Sequence, residues 1–162
     1  MQIKKVYNKN EILLIEQLAN TIWHEHFTAI IGSRQVNYML AKFQSQKAIN
    51  AQLQQGYSYF LMMNNKTAFG YMATQVDNKQ LFLSKFYICS TQRNQGYGKK
   101  ALLFIEQLAK QSALNKISLT VNKDNNSAIQ IYKKLGFTHC GTQVKDIGNH
   151  FVMDDYLMEK TL

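Results

Sequence analysis

The spacing of apolar residues in this chain switches repeatedly between the period of a helix and that of a strand. The order of those switches is the tightest constraint on its fold. Ile12, Ile15, Leu18, Ala19, Ile22 and Trp23 recur at helical spacing. Ahead of them stand Asn8 and Glu11, spaced as a capping box with Asn in place of the usual Ser or Thr. The pattern predicts a helix to Phe27, broken at Gly32-Ser33 and restarted by Val36, Met39, Leu40 and Phe43, with a further turn or two reaching Leu53. Ile3–Tyr7 reads as a short strand before it, and Gly56 closes the helical half. Tyr57–Met63 then reads as a strand, Asn64-Asn65 as a tight turn and Ala68–Val76 as the hairpin partner. Asp77-Asn78-Lys79 is a second turn. Leu81–Ile88 follows as a strand with Leu81, Leu83, Phe86 and Ile88 inside, and its imperfect alternation predicts a bulge. A polar loop over Cys89–Gln95 leads to a helix over Gly98–Ala113, a strand over Lys116–Val121 and a helix over Asn126–Leu135 stopped by Gly136. Two strands near Thr138–Lys145 and Phe151–Glu159 end the chain. The order β-α-α-β-β-β-α-β-α-β-β is a three-strand meander feeding a βαβ unit, a mixed α/β sheet.

A chain of 162 residues fits one domain. Its 46% apolar and 12% aromatic content excludes a disordered chain. No apolar run approaches the roughly 18 residues of a membrane helix. Met1-Gln2-Ile3-Lys4-Lys5-Val6 has no apolar segment behind its lysines, so it does not read as a secretory signal. Cys89 and Cys140 are too few for a disulfide scaffold. They read as free thiols of a cytoplasmic protein.

Nineteen bases against ten acids give a net charge of +9, which favours an anionic partner: nucleic acid, an acidic membrane surface or a phosphorylated small molecule. Eight bases and two acids lie between Arg93 and Lys134, so +6 of the total sits in about a quarter of the chain. No block of like charge is long enough for a nucleic-acid tail. A nucleic-acid binder would set stacking aromatics beside surface lysines. Tyr57, Tyr59 and Phe60 instead lie on a strand that reads as buried. The expectation is no nucleic acid and no membrane as partners.

The charge surrounds Gln92-Arg93-Asn94-Gln95-Gly96-Tyr97-Gly98-Lys99-Lys100, between a strand and a helix. A helix N-terminus leaves about four N–H groups without partners and carries roughly half a positive charge. Gly96 and Gly98 remove side chains that would hold a phosphate away from those groups. Arg93 can fork onto a phosphate oxygen, and Lys99 and Lys100 add point charge. The loop reads as a pyrophosphate cradle. Tight packing is the plain alternative for such glycines. Gly96-x-Gly98-x-x-Ala101 also fits a permissive dinucleotide fingerprint, but it follows a meander rather than a first βαβ unit.

A second motif follows: Asn125-Asn126-Ser127-Ala128-Ile129-Gln130-Ile131-Tyr132-Lys133-Lys134-Leu135-Gly136-Phe137. Asn125 or Asn126 can cap this helix. Ala128, Ile131, Tyr132 and Leu135 share one face. Taken by itself, Tyr132 is a core tyrosine. The pair of motifs, R-x-x-G-x-G opening a helix and then N-x-x-A-x-x-x-Y-x-x-x-G-F, resembles the GCN5-related N-acetyltransferase (GNAT) superfamily. Within it the chain looks most like the bacterial spermidine/spermine N-acetyltransferase group, through Phe86-Tyr87-Ile88, the glycine loop, Tyr132–Phe137 and the final Glu159-Lys160-Thr161-Leu162.

The resemblance implies an α/β single-domain GNAT fold over residues 1–162, with a mixed, mostly antiparallel sheet of about seven strands and about four helices. It implies acetyl-CoA as co-substrate, a primary amine of a small molecule or peptide as acceptor (a polyamine in the narrower reading), no metal, and a monomer or homodimer. By motif, the backbone of Phe86, Tyr87 and Ile88 would hold the pantetheine arm as an added strand. The backbone of Arg93, Asn94, Gln95, Gly96, Tyr97, Gly98 and Lys99 would hold the pyrophosphate. Asn125 would bond the cofactor arm, and Tyr132 would face the thioester sulfur as proton donor. Two departures stand out. Asn94 replaces the glycine the family usually has after the arginine, and Asn tolerates left-handed backbone. Ser90-Thr91 stands where a proline is common.

The base is the open place. Relatives often carry a glutamate on the strand before the loop, where this chain has Ser84 and Lys85. Glu25, His24, His26, Asp154, Asp155 and His150 are the candidates. Glu25 is the one named, on the helix that walls the acceptor site in the family, with Tyr38 also on that wall. Without that glutamate, an acyl-CoA-binding module without turnover is the alternative. A polyamine raises a charge problem, because a +9 protein repels a polycation at long range.

Overall fold

The computed structural model describes residues 1–77 and 79–162, so Asn78 of the second predicted turn lies outside the described residues. Its elements follow the expected order: β1 (Gln2–Lys5), α1 (Lys9–Met39), α2 (Gln46–Gln54), β2 (Ser58–Asn64), β3 (Thr67–Asp77), β4 (Gln80–Ile88), α3 (Tyr97–Gln111), β5 (Lys116–Asn122), α4 (Asn126–Lys134), β6 (Thr138–Gly148) and β7 (Phe151–Thr161). The strands form one seven-stranded sheet in the order β1-β2-β3-β4-β5-β7-β6. The β1–β2, β2–β3, β5–β7 and β6–β7 pairs are antiparallel, and β4–β5 is parallel. This is the mixed, mostly antiparallel sheet with four helices that the sequence predicts. By contacts the chain divides into two compact units, Met1–Gln75 with Ser84–Leu103 and Val76–Leu83 with Phe104–Leu162.

In the first unit, α1 begins at the predicted capping box. Asn8 accepts from the Glu11 N–H at 3.1 Å, and the Glu11 carboxylate accepts from the Asn8 N–H at 3.2 Å. Lys4 at 2.7 Å, with the Tyr7 N–H, holds the Glu11 carboxyl below its usual range. Ile12, Ile15, Ala19, Ile22, Trp23 and Phe27 form the buried stripe. Gly32 breaks the helix with φ 79°, and a helical stretch resumes to Met39. A short π-helical turn, Leu40–Gln44, then separates α1 from α2. Ser45 caps α2 by accepting from the Ala48 N–H. The Glu16 carboxylate fixes that start by accepting from the Gln46 main-chain and side-chain N–H groups at 3.0 and 2.9 Å.

One expectation for β4 is corrected, the placing of Phe86 and Ile88 in the interior. Burial alternates cleanly through Leu81, Leu83 and Lys85, while Phe86 and Ile88 are only partly covered. The pattern reads as irregular only when a lysine is assigned to solvent. Register shifts in the β2–β3 and β6–β7 pairs lie at Met62/Met63 on β2 and at His139/Gly141 and Asp146/Gly148 on β6.

In the second unit, β5 buries Ile117, Leu119 and Val121 on alternate positions. It pairs with β7 from Lys116↔Thr161 to Asn122↔Asp155. The β6–β7 hairpin turns through Asn149 and His150, both at positive φ (54° and 61°), as a two-residue turn of primed type requires. Lys160 reaches Glu106 at 2.6 Å and the Leu135 carbonyl at 2.7 Å, giving the last carbonyls of α4 a donor.

Candidate functional site

The first unit carries the glycine loop and the strand leading into it. Among the described residues the β4–β5 ladder covers Leu81↔Ile117 and Phe82↔Ser118. The last residues of β4 are fixed by β3. A Cβ on Gly70 would lie 2.6 Å from the Tyr87 carbonyl oxygen and 3.3 Å from the Ile88 Cα. Only glycine allows that approach. The Cys89 N–H donates to the Phe69 carbonyl at 2.9 Å and ends the pairing. The Tyr87 ring packs among Trp23, Phe27 and Tyr71, with centroids 5.6, 6.1 and 5.2 Å away.

A short 3-10 turn, Ser90–Gln92, follows. The Ser90 hydroxyl donates to the Glu25 carboxylate at 3.0 Å, tying α1 to the start of the loop. Burial, then the Glu25 charge, raises the Cys89 thiol. Arg93 folds back, its Nε donating to the Ile88 carbonyl at 2.9 Å, with the rest of the guanidinium directed outward from an exposed residue. Asn94 adopts φ 60° and Gly96 φ 76°. Asn94 thus takes a left-handed backbone, which asparagine tolerates. The consequence is a run of amides facing away from the chain. Among the described residues, none of the N–H groups from Asn94 to Lys99 donates to a protein acceptor, and the first return bond is Lys100 N–H to the Gly96 carbonyl. Open space surrounds the place where a Gly96 Cβ would stand, and a Gly98 Cβ would meet only Ile88, at 3.9 Å. Successive free N–H groups at a helix start form an anion-binding concavity. Lys99 and Lys100 are exposed beside it.

Asn64, read from sequence only as a turn residue, is the last residue of β2, paired with Thr67, and anchors this loop. Its amide donates to the Tyr97 hydroxyl at 3.0 Å, and the Tyr97 ring rests on Phe69 at 4.8 Å.

The second unit carries the other motif. Asn125 is the N-cap of α4, buried, its side-chain oxygen accepting from the Ala128 N–H and the Ser127 hydroxyl. That oxygen therefore serves the helix. Gly136 ends α4, and Phe137 turns back so that its N–H donates to the Tyr132 carbonyl while its ring meets the Tyr132 ring at 5.6 Å. The Y-x-x-x-G-F spacing thus fixes the tyrosine by its own helix stop. Burial pushes the Tyr132 phenol up to about 12, so it stays protonated. Among the described residues its hydroxyl has no hydrogen-bond partner.

The other base candidates are dispersed. His24 is exposed on α1, His150 lies at the β6–β7 turn, and Asp154 is paired to Lys123. His26 packs edge-on against Phe27. Glu25 is exposed and engaged by Ser90.

The family model for the acetyltransferase (GNAT) family matches residues 16–137, most of the chain. The chain belongs to this family. An uncharacterized N-acetyltransferase of Bacillus subtilis, YycN, is 28% identical to this GNAT chain over 81 residues, 48% of the chain and 52% of the relative. The chain thus spans about half the length of that curated relative. Among solved structures, it is similar across its full length, and that of the other chain, to the PaiA N-acetyltransferase from Thermoplasma acidophilum in complex with coenzyme A (TM-score 0.79, 18% identity). It is also similar, over 99% of its length and 95% of the other's, to a GCN5-related N-acetyltransferase from Rhodopseudomonas palustris (TM-score 0.82, 11% identity). At these identities the likeness concerns the fold, and the fold is that of GNAT proteins.

Proposed function

We propose that residues 1–162 act as one N-acetyltransferase domain, moving an acetyl group from acetyl-CoA to a primary amine. The observation that carries this reading is the run of unpartnered amides from Asn94 to Lys99 at the start of α3. A pyrophosphate fits it: the donors are main-chain, the space over Gly96 is open, and Lys99, Lys100 and Arg93 add positive charge. The backbone of Phe86, Tyr87 and Ile88 would hold the pantetheine arm by main-chain bonds. Glu25, through Ser90, would keep the turn before the loop in place. Asn125 would fix the start of the helix that presents Tyr132.

Acetyl-CoA supplies a thioester carbonyl, which the amine attacks. A main-chain N–H of the Tyr87–Ile88 segment would stabilise the developing oxyanion. Tyr132 would donate its proton to the departing thiolate, a role its protonated, unpartnered hydroxyl suits. The acceptor class in this reading is a small-molecule or peptide amine. A polyamine is the narrower possibility that the likeness to the spermidine/spermine group raises, and the +9 charge opposes it. Among the described residues no helix is long and apolar enough to cross a membrane.

One observation favours a second reading, an acyl-CoA-binding module without turnover: where relatives carry a glutamate, β4 offers a serine and a buried lysine. Thiol release from acetyl-CoA, measured against a panel of monoamines, polyamines, amino acids and peptide N-termini from pH 6 to 10, separates the two. Turnover with one amine class supports the transferase. Acetyl-CoA binding with no thiol release against any amine supports the module.

A further inference from the structure

The loop that carries the free amides has little of its own to hold its shape. Asn94 and Gly96 stand at positive φ, and Gly96 and Gly98 bring no side chain to pack. Glycine gives up more backbone freedom than any other residue when it is fixed. The N–H groups from Asn94 to Lys99, unbonded within the protein, hold nothing in place. Arg93 and Gln95 are tied to their own segment, at the Ile88 and Thr91 carbonyls, 2.9 and 3.1 Å away.

The tie from outside is Asn64, at the end of β2. Its side-chain amide has two N–H donors. They reach the Tyr97 hydroxyl oxygen at 3.0 Å and Gln92 Oε1 at 3.4 Å. Gln92 closes the 3-10 turn before the loop, and Tyr97 opens α3 after it. One planar group therefore joins the two ends of the loop. Phe69 of the same hairpin repeats the arrangement. Its carbonyl accepts from the Cys89 N–H at 2.9 Å, and its ring lies 4.8 Å from the Tyr97 ring. The Lys100 ammonium stands 5.9 Å from the centre of the Tyr97 ring, so holding that ring also holds a charge beside the amides. All of these residues belong to the first compact unit.

We propose that Asn64 is a positioning residue for coenzyme A: its one amide sets the gap between Gln92 and Tyr97, and with it the spacing of the main-chain N–H groups that would receive the pyrophosphate. This rests on the acetyl-CoA reading above. Asn64 touches no part of the ligand in this scheme. Its contribution is preorganisation, because a loop already closed gives up less freedom when the ligand arrives. The effect is confined to the part of the ligand that the loop binds. Pantetheine, which lacks the phosphates, would lie along β4 and gain nothing from Asn64.

The test is Asn64→Leu, which keeps the volume and removes both donors. The pairing of position 64 with Thr67 is main-chain and does not need the side chain, so the fold should be retained. Calorimetry with coenzyme A should give a Kd about 5-fold to 10-fold higher, as one short and one longer hydrogen bond are lost. Pantetheine, titrated at millimolar concentration, should bind variant and wild type alike. Tyr97→Phe removes the acceptor of the shorter bond and should account for most of the coenzyme A loss. Added to Asn64→Leu it should cost nothing further, because the link it cuts is already gone. An unchanged coenzyme A Kd in Asn64→Leu overturns the proposal and leaves the acetyl-CoA reading standing. Equal losses for coenzyme A and pantetheine also overturn it, since they mark a general disturbance of β4. A wild-type protein that binds no coenzyme A overturns both. Should Asn64→Leu not fold, Tyr97→Phe decides by the same pair of titrations. Weaker coenzyme A binding with pantetheine unchanged supports the role of Asn64, and any other pattern overturns it.

Discussion

The ammonium of Lys85 lies 5.2 Å from the centre of the Tyr59 ring, and both side chains donate to the same oxygen, Gln52 Oε1, at 2.5 and 2.7 Å. The Tyr57 ring lies under the same ammonium at 5.6 Å. None of the ion pairs among the described residues includes Lys85. Aromatic faces and one amide oxygen hold the amine in place without offsetting its charge. Burial therefore pushes its pKa down to about 7, from 10.5.

That shift sets a pH dependence of stability. Between pH 7 and 10.5 the unfolded chain binds a proton at Lys85 that the folded chain does not, so stability rises with pH across that window. Below pH 7 the penalty is complete. Lys85→Met keeps the aliphatic bulk and removes the charge. It should be more stable than wild type at pH 6, by on the order of a few kcal/mol, with the advantage fading by pH 9.5. Above pH 10 stability should fall again, because burial raises the Tyr59 and Tyr71 phenols and the unfolded chain ionises first. Urea unfolding at several pH values measures this, and parallel profiles for the two proteins would refute it.

Gly70→Ala should fail for a steric reason. The added carbon meets a main-chain carbonyl at 2.6 Å, and although the Met62 methyl beside it can swing away, the Tyr87 carbonyl cannot move without moving β4. A stability loss of about 1–3 kcal/mol is expected, with weaker coenzyme A binding. Calorimetry for both quantities is the check. Unchanged coenzyme A affinity would mean that β4 does not hold the ligand.

Gly96→Ala should separate those two effects. The φ of 76° costs an alanine about 1–2 kcal/mol, yet its methyl meets nothing in the protein. It enters the open space proposed for the phosphate. A modest fall in melting temperature should accompany a large rise in KM for acetyl-CoA. An unaltered KM would argue against the cradle.

Tyr132→Phe removes a hydroxyl that bonds nothing in the protein, so stability should hold or rise slightly. The kcat should drop about 100-fold with little change in KM for acetyl-CoA. Full kcat in the variant would remove the tyrosine from the chemistry.

The elements that could be read from sequence are those whose causes are local. The Asn8–Glu11 box, the Gly32 break and the Gly136 stop each act within a few residues and lie where predicted, and the Asn64-Asn65 turn is displaced by one residue, to Asn65-Lys66 with φ 52° at Asn65, while Asn64 ends β2. The glycine loop was legible for the same reason. Lys85 was not. A lysine on a strand reads as solvent-facing, and only Gln52, Tyr57 and Tyr59, brought together by folding, make an interior place for it. Gly70 carried a usable signal, a glycine inside an apolar strand, which marks a close backbone approach. The burial of Asp155, which is 4% exposed, carried none, because it depends on strand register. Glu25 was chosen for its helix, and its bond to Ser90 depends on a loop 65 residues later.

On the proposed reading, the loop between Arg93 and Lys100 would offer a ligand atoms that every amino acid possesses. Substitutions there should be judged by the dihedral angles a residue can reach, and scarcely by what its side chain can bond. Gln95 can drift freely, whereas position 94 admits asparagine or glycine and excludes valine. Two proteins could therefore share the proposed backbone cradle with hardly a letter in common. A survey scoring chemical similarity along the loop would miss kinship that a survey of backbone handedness would find.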